Sequence, residues 1–163
     1  MKCVNCGGRM TTRRADWRYE ASGLRNVILL GVEVSRCASC GEEEVSIPAI
    51  EGLHRAIAQT IVRKRERLAA TEIRFLRKCL GLSAADLAKH MGSTPETVSR
   101  WEHGATSMGV TADRLLRMMV VRQEPVADYS LGTLKDVALR AARQTQLRLR
   151  READNGWAVA GAA

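Results

Sequence analysis

The chain has no stretch of eighteen apolar residues. Its longest apolar run is the short VILLGVEV at residues 27–34, so no membrane-spanning helix and no membrane partner are expected. The N-terminus, MKCVNC, lacks the apolar core of a signal peptide, and the protein is expected to be soluble and cytoplasmic. Cysteine is scarce, with five in 163 residues. In a reducing compartment paired cysteines are more often metal ligands or redox groups than disulfides. Histidine is scarcer still: His54, His90 and His103 show no ligand spacing among themselves.

Four of the five cysteines form two matched pairs, CVNCGG at residues 3–8 and CASCGE at 37–42. Four thiolates at C-x2-C…C-x2-C spacing can close a tetrahedron around zinc, so Cys3, Cys6, Cys37 and Cys40 are the expected metal ligands. The segment between the pairs has room for a hairpin, with DWRYE and NVILLGVEVSRC as its strand-like pieces. Gly7 and Gly41 each follow the second cysteine of a pair, where the turn needs positive φ and close approach of backbone N–H groups to sulfur. So few apolar residues cannot build a stable core unaided, and a metal staple supplies what is missing. A thioredoxin-like redox pair would end a strand and open a helix, and neither pair precedes an amphipathic helix. With four protein ligands there is no open position, so the expected Zn2+ is structural, one ion per chain, and no catalysis follows from it. Cys79 lies inside an apolar helical pattern and reads as a small buried hydrophobe.

Charge is uneven. Residues 49–81 carry eight Lys or Arg against three Asp or Glu, whereas residues 82–124 carry five of each. A local basic excess suits a polyanion, with a solvated helix face as the plainer alternative. Ile50, Leu53, Ile57 and Ile61 predict an amphipathic helix, after which RKRER at 63–67 turns polar, either as a continuing helix or as a charged hinge. Three short helices follow. ATEIRFLRKCLGL places Ile73, Leu76 and Leu80 on one face and closes at Gly81; SAADLAKHMG opens on Ser83 with Asp86 completing a capping box and ends at Gly92; STPETVSRWEHG begins at Ser93 or Thr94 with Pro95 in the first turn. The last two are separated by about three residues, the spacing of a helix-turn-helix.

In such a motif the N-terminal residues of the second helix meet base edges in the major groove, which nominates Ser93, Thr94, Glu96, Thr97 and, one turn on, Arg100 as DNA-binding residues. The planar fork of Arg100 can pair with guanine O6 and N7, with a phosphate contact or a surface ion pair as alternatives. Glu96 needs a cytosine amino group or a cationic neighbour beside it. Lys89, on the preceding helix, is a further DNA-binding candidate, and Arg63, Lys64 and Arg65, in the basic segment, are the expected phosphate contacts. Trp101 is assigned to packing.

TEIRFLRKCLGLSAADLAKHMGSTPETVSRWEHG resembles the lambda-repressor-like, Xre-type helix-turn-helix, and CVNCGG…RCASCGEEEVSIP resembles the YgiT-type zinc ribbon. In this order, over roughly residues 1–122, they are similar to the MqsA family of antitoxins. The resemblance implies zinc on the four cysteines, an N-terminal domain that grips a toxin, usually a small ribonuclease, and a C-terminal domain that dimerises and represses its own operon at a palindromic operator. Ala84 stands where Xre-type helices commonly carry a glutamine that contacts phosphate. The chain also continues beyond the family's usual end: SLGTLKDVALRAARQTQLRLRREAD reads as an arginine-rich helix with Leu131, Leu134, Ala138 and Ala141 as an apolar stripe, and NGWAVAGAA as a disordered tail.

The expected fold is thus α+β: a small N-terminal β zinc ribbon (residues 1–48), a basic helical linker (49–69), an all-α helix-turn-helix domain (70–124) and an arginine-rich C-terminal helix with a disordered tail (125–163). The expected function is that of a type II antitoxin and autorepressor, a homodimer with double-stranded operator DNA and a toxin as partners. A stand-alone zinc-containing regulator and a thiol redox protein are the alternatives.

Overall fold

The structure is a computed structural model, and residues 1–123, 142–153 and 156–161 are described. They form an α+β arrangement of two compact units, the first from Met1–Glu20, Arg25–Leu53 and Gln146–Ala163, the second from Ala21–Leu24 and His54–Thr145.

The first unit is built on an antiparallel hairpin, β1 (Met10–Arg18) and β2 (Val27–Cys37), which returns the second cysteine pair to the first. β1 starts well before the DWRYE piece because Thr11 to Ala15 pair with β2 although most of their side chains are exposed. Along β2 the inward residues are Val27 and Leu29, then Val32 and Val34. This change of parity is the work of Gly31, at φ 61, in a bulge where the stretch between Ala15 and Trp17 faces the longer stretch between Leu29 and Val32. Asp16 Oδ1 accepts the Gly31 N–H at 3.1 Å, and a residue with a Cβ would be strained in that left-handed backbone. A short strand, β3 (Glu43–Ser46), pairs antiparallel with Glu33–Arg36 of β2.

The C-terminal segment corrects the expected helix and disordered tail wherever it is described. Leu147–Arg151 is a strand, β4, parallel to Val27–Leu30 of β2, and Trp157–Val159 is a second strand, β5, antiparallel to β4. The physical reason is the alternation in LRLRR: Leu147 and Leu149 are buried and Arg148 and Arg150 exposed, a period of two that a sheet accepts and a helix does not. Trp157 is buried, and its Nε1 donates to Pro48 O at 3.3 Å. The proposed apolar stripe from Leu131 to Ala141 lies outside the described residues.

α1 (Ile50–Arg63) has Leu53, Ile57 and Ile61 buried, as the spacing predicts, whereas Ile50, at its first position, is exposed. The second unit continues with α2 (Ala70–Cys79), α3 (Ala84–Met91), α4 (Pro95–Glu102) and α5 (Val110–Gln123). Its core comprises Ile57, Ile61, Val62, Leu68, Ile73, Phe75, Leu76, Leu87, Ala88, Val98, Met108, Leu116 and Val120. The capping box of α3 forms as expected, with Ser83 Oγ accepting from Asp86 N at 3.1 Å, and Thr94, not Ser93, caps α4 by accepting from Thr97 N at 3.3 Å.

Candidate functional site

The two cysteine pairs sit on two equivalent turns. In the first, Cys3 N donates to Gly8 O at 2.8 Å and Gly7 N to Cys3 O at 2.8 Å; in the second, Cys37 N donates to Glu42 O at 2.9 Å and Gly41 N to Cys37 O at 3.0 Å. The positive φ expected of both glycines is present, 70° at Gly7 and 76° at Gly41. The turns place the four Sγ atoms within 4.8 Å of one another, with Cys3 to Cys40 at 3.6 Å and Cys6 to Cys37 at 3.4 Å. A tetrahedral zinc with Zn–S bonds of about 2.3 Å requires S–S edges of about 3.8 Å, so the set fits one structural zinc ion. Cys3 and Cys37 are buried beside Met10, while Cys6 and Cys40 face outward.

Electrostatics point the same way. The N–H groups of Cys40 and Ser39 lower the Cys37 thiol to about 6. The Gly8 N–H lowers the Cys6 thiol, but the neighbouring Cys40 and Cys37 sulfurs outweigh it and push Cys6 up to about 12. Sulfurs this crowded do not all ionise unless a cation lies among them, and zinc binding to thiols releases their protons.

In the second unit α3 and α4 are joined by Gly92, Ser93 and Thr94. Ser93 N donates to Ala88 O at 2.9 Å, and Gly92 is in the left-handed conformation, which sets the sharp turn. Leu87 and Ala88 of α3 and Val98 of α4 are buried, and Met91 is half-buried. Glu102 anchors the far end of α4 on α2: it accepts from Arg77 Nε at 2.5 Å and Nη2 at 3.0 Å, and Arg74 lies at 3.6 Å. That arrangement leaves Thr94, Glu96 and Arg100 exposed and Ser93 and Thr97 half-buried on one short stretch. The Glu96 carboxyl is held below the usual range by its own backbone N–H and the Thr94 hydroxyl, with a smaller contribution from Arg100. Lys89 is exposed, with Asp86 at 3.8 Å, and Trp101 is half-buried.

Of the three basic residues singled out after α1, Arg63 and Arg65 are exposed and Lys64 is not. The Lys64 side chain is 9% exposed and Nζ donates to Glu72 Oε2 at 2.5 Å, so its charge is already engaged and it leaves the set of candidate phosphate contacts. Glu72 also accepts the Ala69 N–H at 2.7 Å; burial pushes its carboxyl up, and Lys64 counters that shift. RKRER is therefore not a loose hinge. Arg117, wholly buried on α5, donates to the carbonyls of Val62, Lys64 and Glu66 at 3.1, 2.5 and 2.7 Å and to Asp113 Oδ1 at 2.6 Å. Asp113 Oδ2 in turn accepts the Leu68 N–H at 2.8 Å.

The family model for the antitoxin component of bacterial toxin–antitoxin systems, MqsA, matches residues 1–126. No curated protein matches the chain. The matched range takes in both cysteine knuckles and the five helices found among the described residues, and on that match the chain belongs to the MqsA family of antitoxins.

Proposed function

We propose that this antitoxin acts as a homodimer that represses its own operon, reading double-stranded operator DNA with the first turn of α4, while the zinc ribbon holds the cognate toxin, a small ribonuclease. The observation that carries the reading is the exposed, polar, side-chain-capped first turn of α4 behind a tight three-residue turn. A helix presented in this way offers its N-terminal side chains to base edges in the major groove. Ser93, Thr94, Glu96, Thr97 and Arg100 form the base-facing set, and Lys89, Arg63 and Arg65 contact phosphate. No catalytic step is proposed for the chain.

Two expected results test this. Arg100→Ala should weaken binding to the preferred operator by about 1–3 kcal/mol in a fluorescence-anisotropy titration and leave binding to random DNA nearly unchanged. Equal losses on both sequences would make Arg100 a phosphate contact and remove it from the reading set. Neutralising Arg63 and Arg65 together should weaken binding to every sequence and flatten the plot of log affinity against log salt by roughly one unit per lost phosphate contact. An unchanged slope excludes the segment from the interface. Lys64→Ala, by contrast, should lower the urea midpoint, because it leaves Glu72 buried without its cation. Co-purification with the product of the neighbouring reading frame tests the toxin assignment.

A further inference from the structure

Two strands share one edge of β2, and both stop at the same place. β4 runs parallel to Val27–Leu30 and β3 antiparallel to Glu33–Arg36, so among the described residues Gly31 and Val32 have no strand partner on that edge. The registers, Leu30 with Arg150 and Glu33 with Ser46, bring the carboxyl ends of β4 and β3 together at this gap. Strands that part from a common neighbour open a crevice there, as at the switch points of open sheets, where ligands bind beyond the carboxyl ends of strands. Here the crevice is a cleft of about 810 Å3, within the range of about 300–1,000 Å3 usual for small-ligand sites. A Cβ built on Gly31 would meet nothing within 4 Å, so the centre of the floor is open.

Four arginines line this cleft: Arg14 from β1 and Arg148, Arg150 and Arg151 from β4. The carboxylates on it are Asp16, Glu33 and Glu152. Asp16 already holds the Gly31 N–H and lies 3.8 Å from Arg148. Glu33 is opposite Arg14 in the register, yet among the described residues neither Arg14 nor Arg150 has a carboxylate within ion-pair distance. Two exposed guanidinium forks on different strands, facing one cleft and not neutralised, suit an oxyanion that accepts paired N–H donors. Arg14 and the floor of the cleft lie within the range that the family match covers, whereas the arginines of β4 lie beyond residue 126 and complete the site from outside it.

We propose that the cleft binds a phosphate-bearing ligand, its phosphate oxygens held between Arg14 and Arg150 at the point where β3 and β4 diverge. A phosphate monoester carries about −1.5 to −2 charges at pH 7 and three acceptor oxygens, which matches two forks better than a single carboxylate does. The phosphate can come from a free nucleotide or from a nucleic-acid strand.

The experiment is calorimetric titration of the full-length zinc-loaded protein with pyrophosphate, a nucleoside triphosphate, a short single-stranded oligoribonucleotide and a poly-glutamate peptide. Wild type should bind pyrophosphate saturably, and R14A/R150A should lose about tenfold or more in affinity with zinc content and operator binding intact. R14K/R150K keeps the charge but not the fork, and should still lose about threefold or more. Tighter binding of the triphosphate than of the oligonucleotide assigns the site to a free nucleotide, and the reverse order assigns it to a strand; both support the proposal. Non-saturable pyrophosphate binding, unchanged affinity in either double variant, or tighter binding of poly-glutamate through the same arginines would overturn it.

Discussion

Cys37→Ser should release the zinc and unfold the ribbon, a loss of order 10 kcal/mol on the scale of structural zinc sites. Cys37 is 1% exposed and supplies both a ligand sulfur and, through its backbone N–H and C=O, the hydrogen bonds that close the second knuckle. Hydrogen exchange read by mass spectrometry separates the consequences. Amides of β1, β2 and β3 should lose protection, whereas those of α3 and α4, whose unit has its own apolar core, should keep theirs. Chelation of the wild-type protein should reproduce the pattern, and restored zinc should reverse it. Strands that stayed protected at zero zinc would mean that Val27, Leu29, Leu147, Leu149 and Trp157 hold the sheet without the metal. That outcome has a specific source, because the C-terminal strands add apolar residues to a lobe whose first 48 residues have few.

The zinc knuckles were legible because their chemistry is local: ligand type, spacing and a following glycine all fall within six residues of sequence. The helix-turn-helix was legible for the same reason, since Ser83, Asp86, Gly92 and Pro95 mark helix ends by hydrogen bonds and backbone angles that span one turn. What escaped was decided by partners far away in the chain. LRLRR at Leu147–Arg151 carries a strand alternation, but its arginine content and the helical pattern before it made it read as a helix, and the pairing that settles the matter is with Val27–Leu30. Lys64 looked like its exposed neighbours Arg63 and Arg65 because nothing in RKRER distinguishes them; Glu72, eight residues on, takes its charge. α5 went unread as a helix because Asp113 and Arg117 fall on its buried face and interrupt the apolar stripe. A charged pair at i and i+4 enclosing Leu115 and Leu116, with Val120 one turn further on, was the available signal.

That buried pair gives the second large effect. Arg117→Met should destabilise the helical unit by about 3–5 kcal/mol, seen as a lower urea midpoint, because it strands the Asp113 carboxylate in a dry interior. It also removes the donor from the carbonyls of Val62, Lys64 and Glu66. Arg117→Lys should recover little, since one ammonium cannot reproduce a fork that reaches a carboxylate and three carbonyls at once. Asp113→Asn combined with Arg117→Met should be less damaging than Arg117→Met alone, because no buried charge then lacks a partner. A single variant within about 0.5 kcal/mol of wild type would show that water already reaches this site. The consequence extends to function. Two of the carbonyls that Arg117 holds, those of Lys64 and Glu66, belong to the segment after α1 that carries Arg65 and adjoins Arg63, so under mild conditions, where Arg117→Met remains folded, the salt dependence of DNA binding should flatten, as is expected when those two arginines are neutralised. If the stability fell and the salt dependence did not change, Arg117 would serve the core alone and the basic loop would not depend on it for its position.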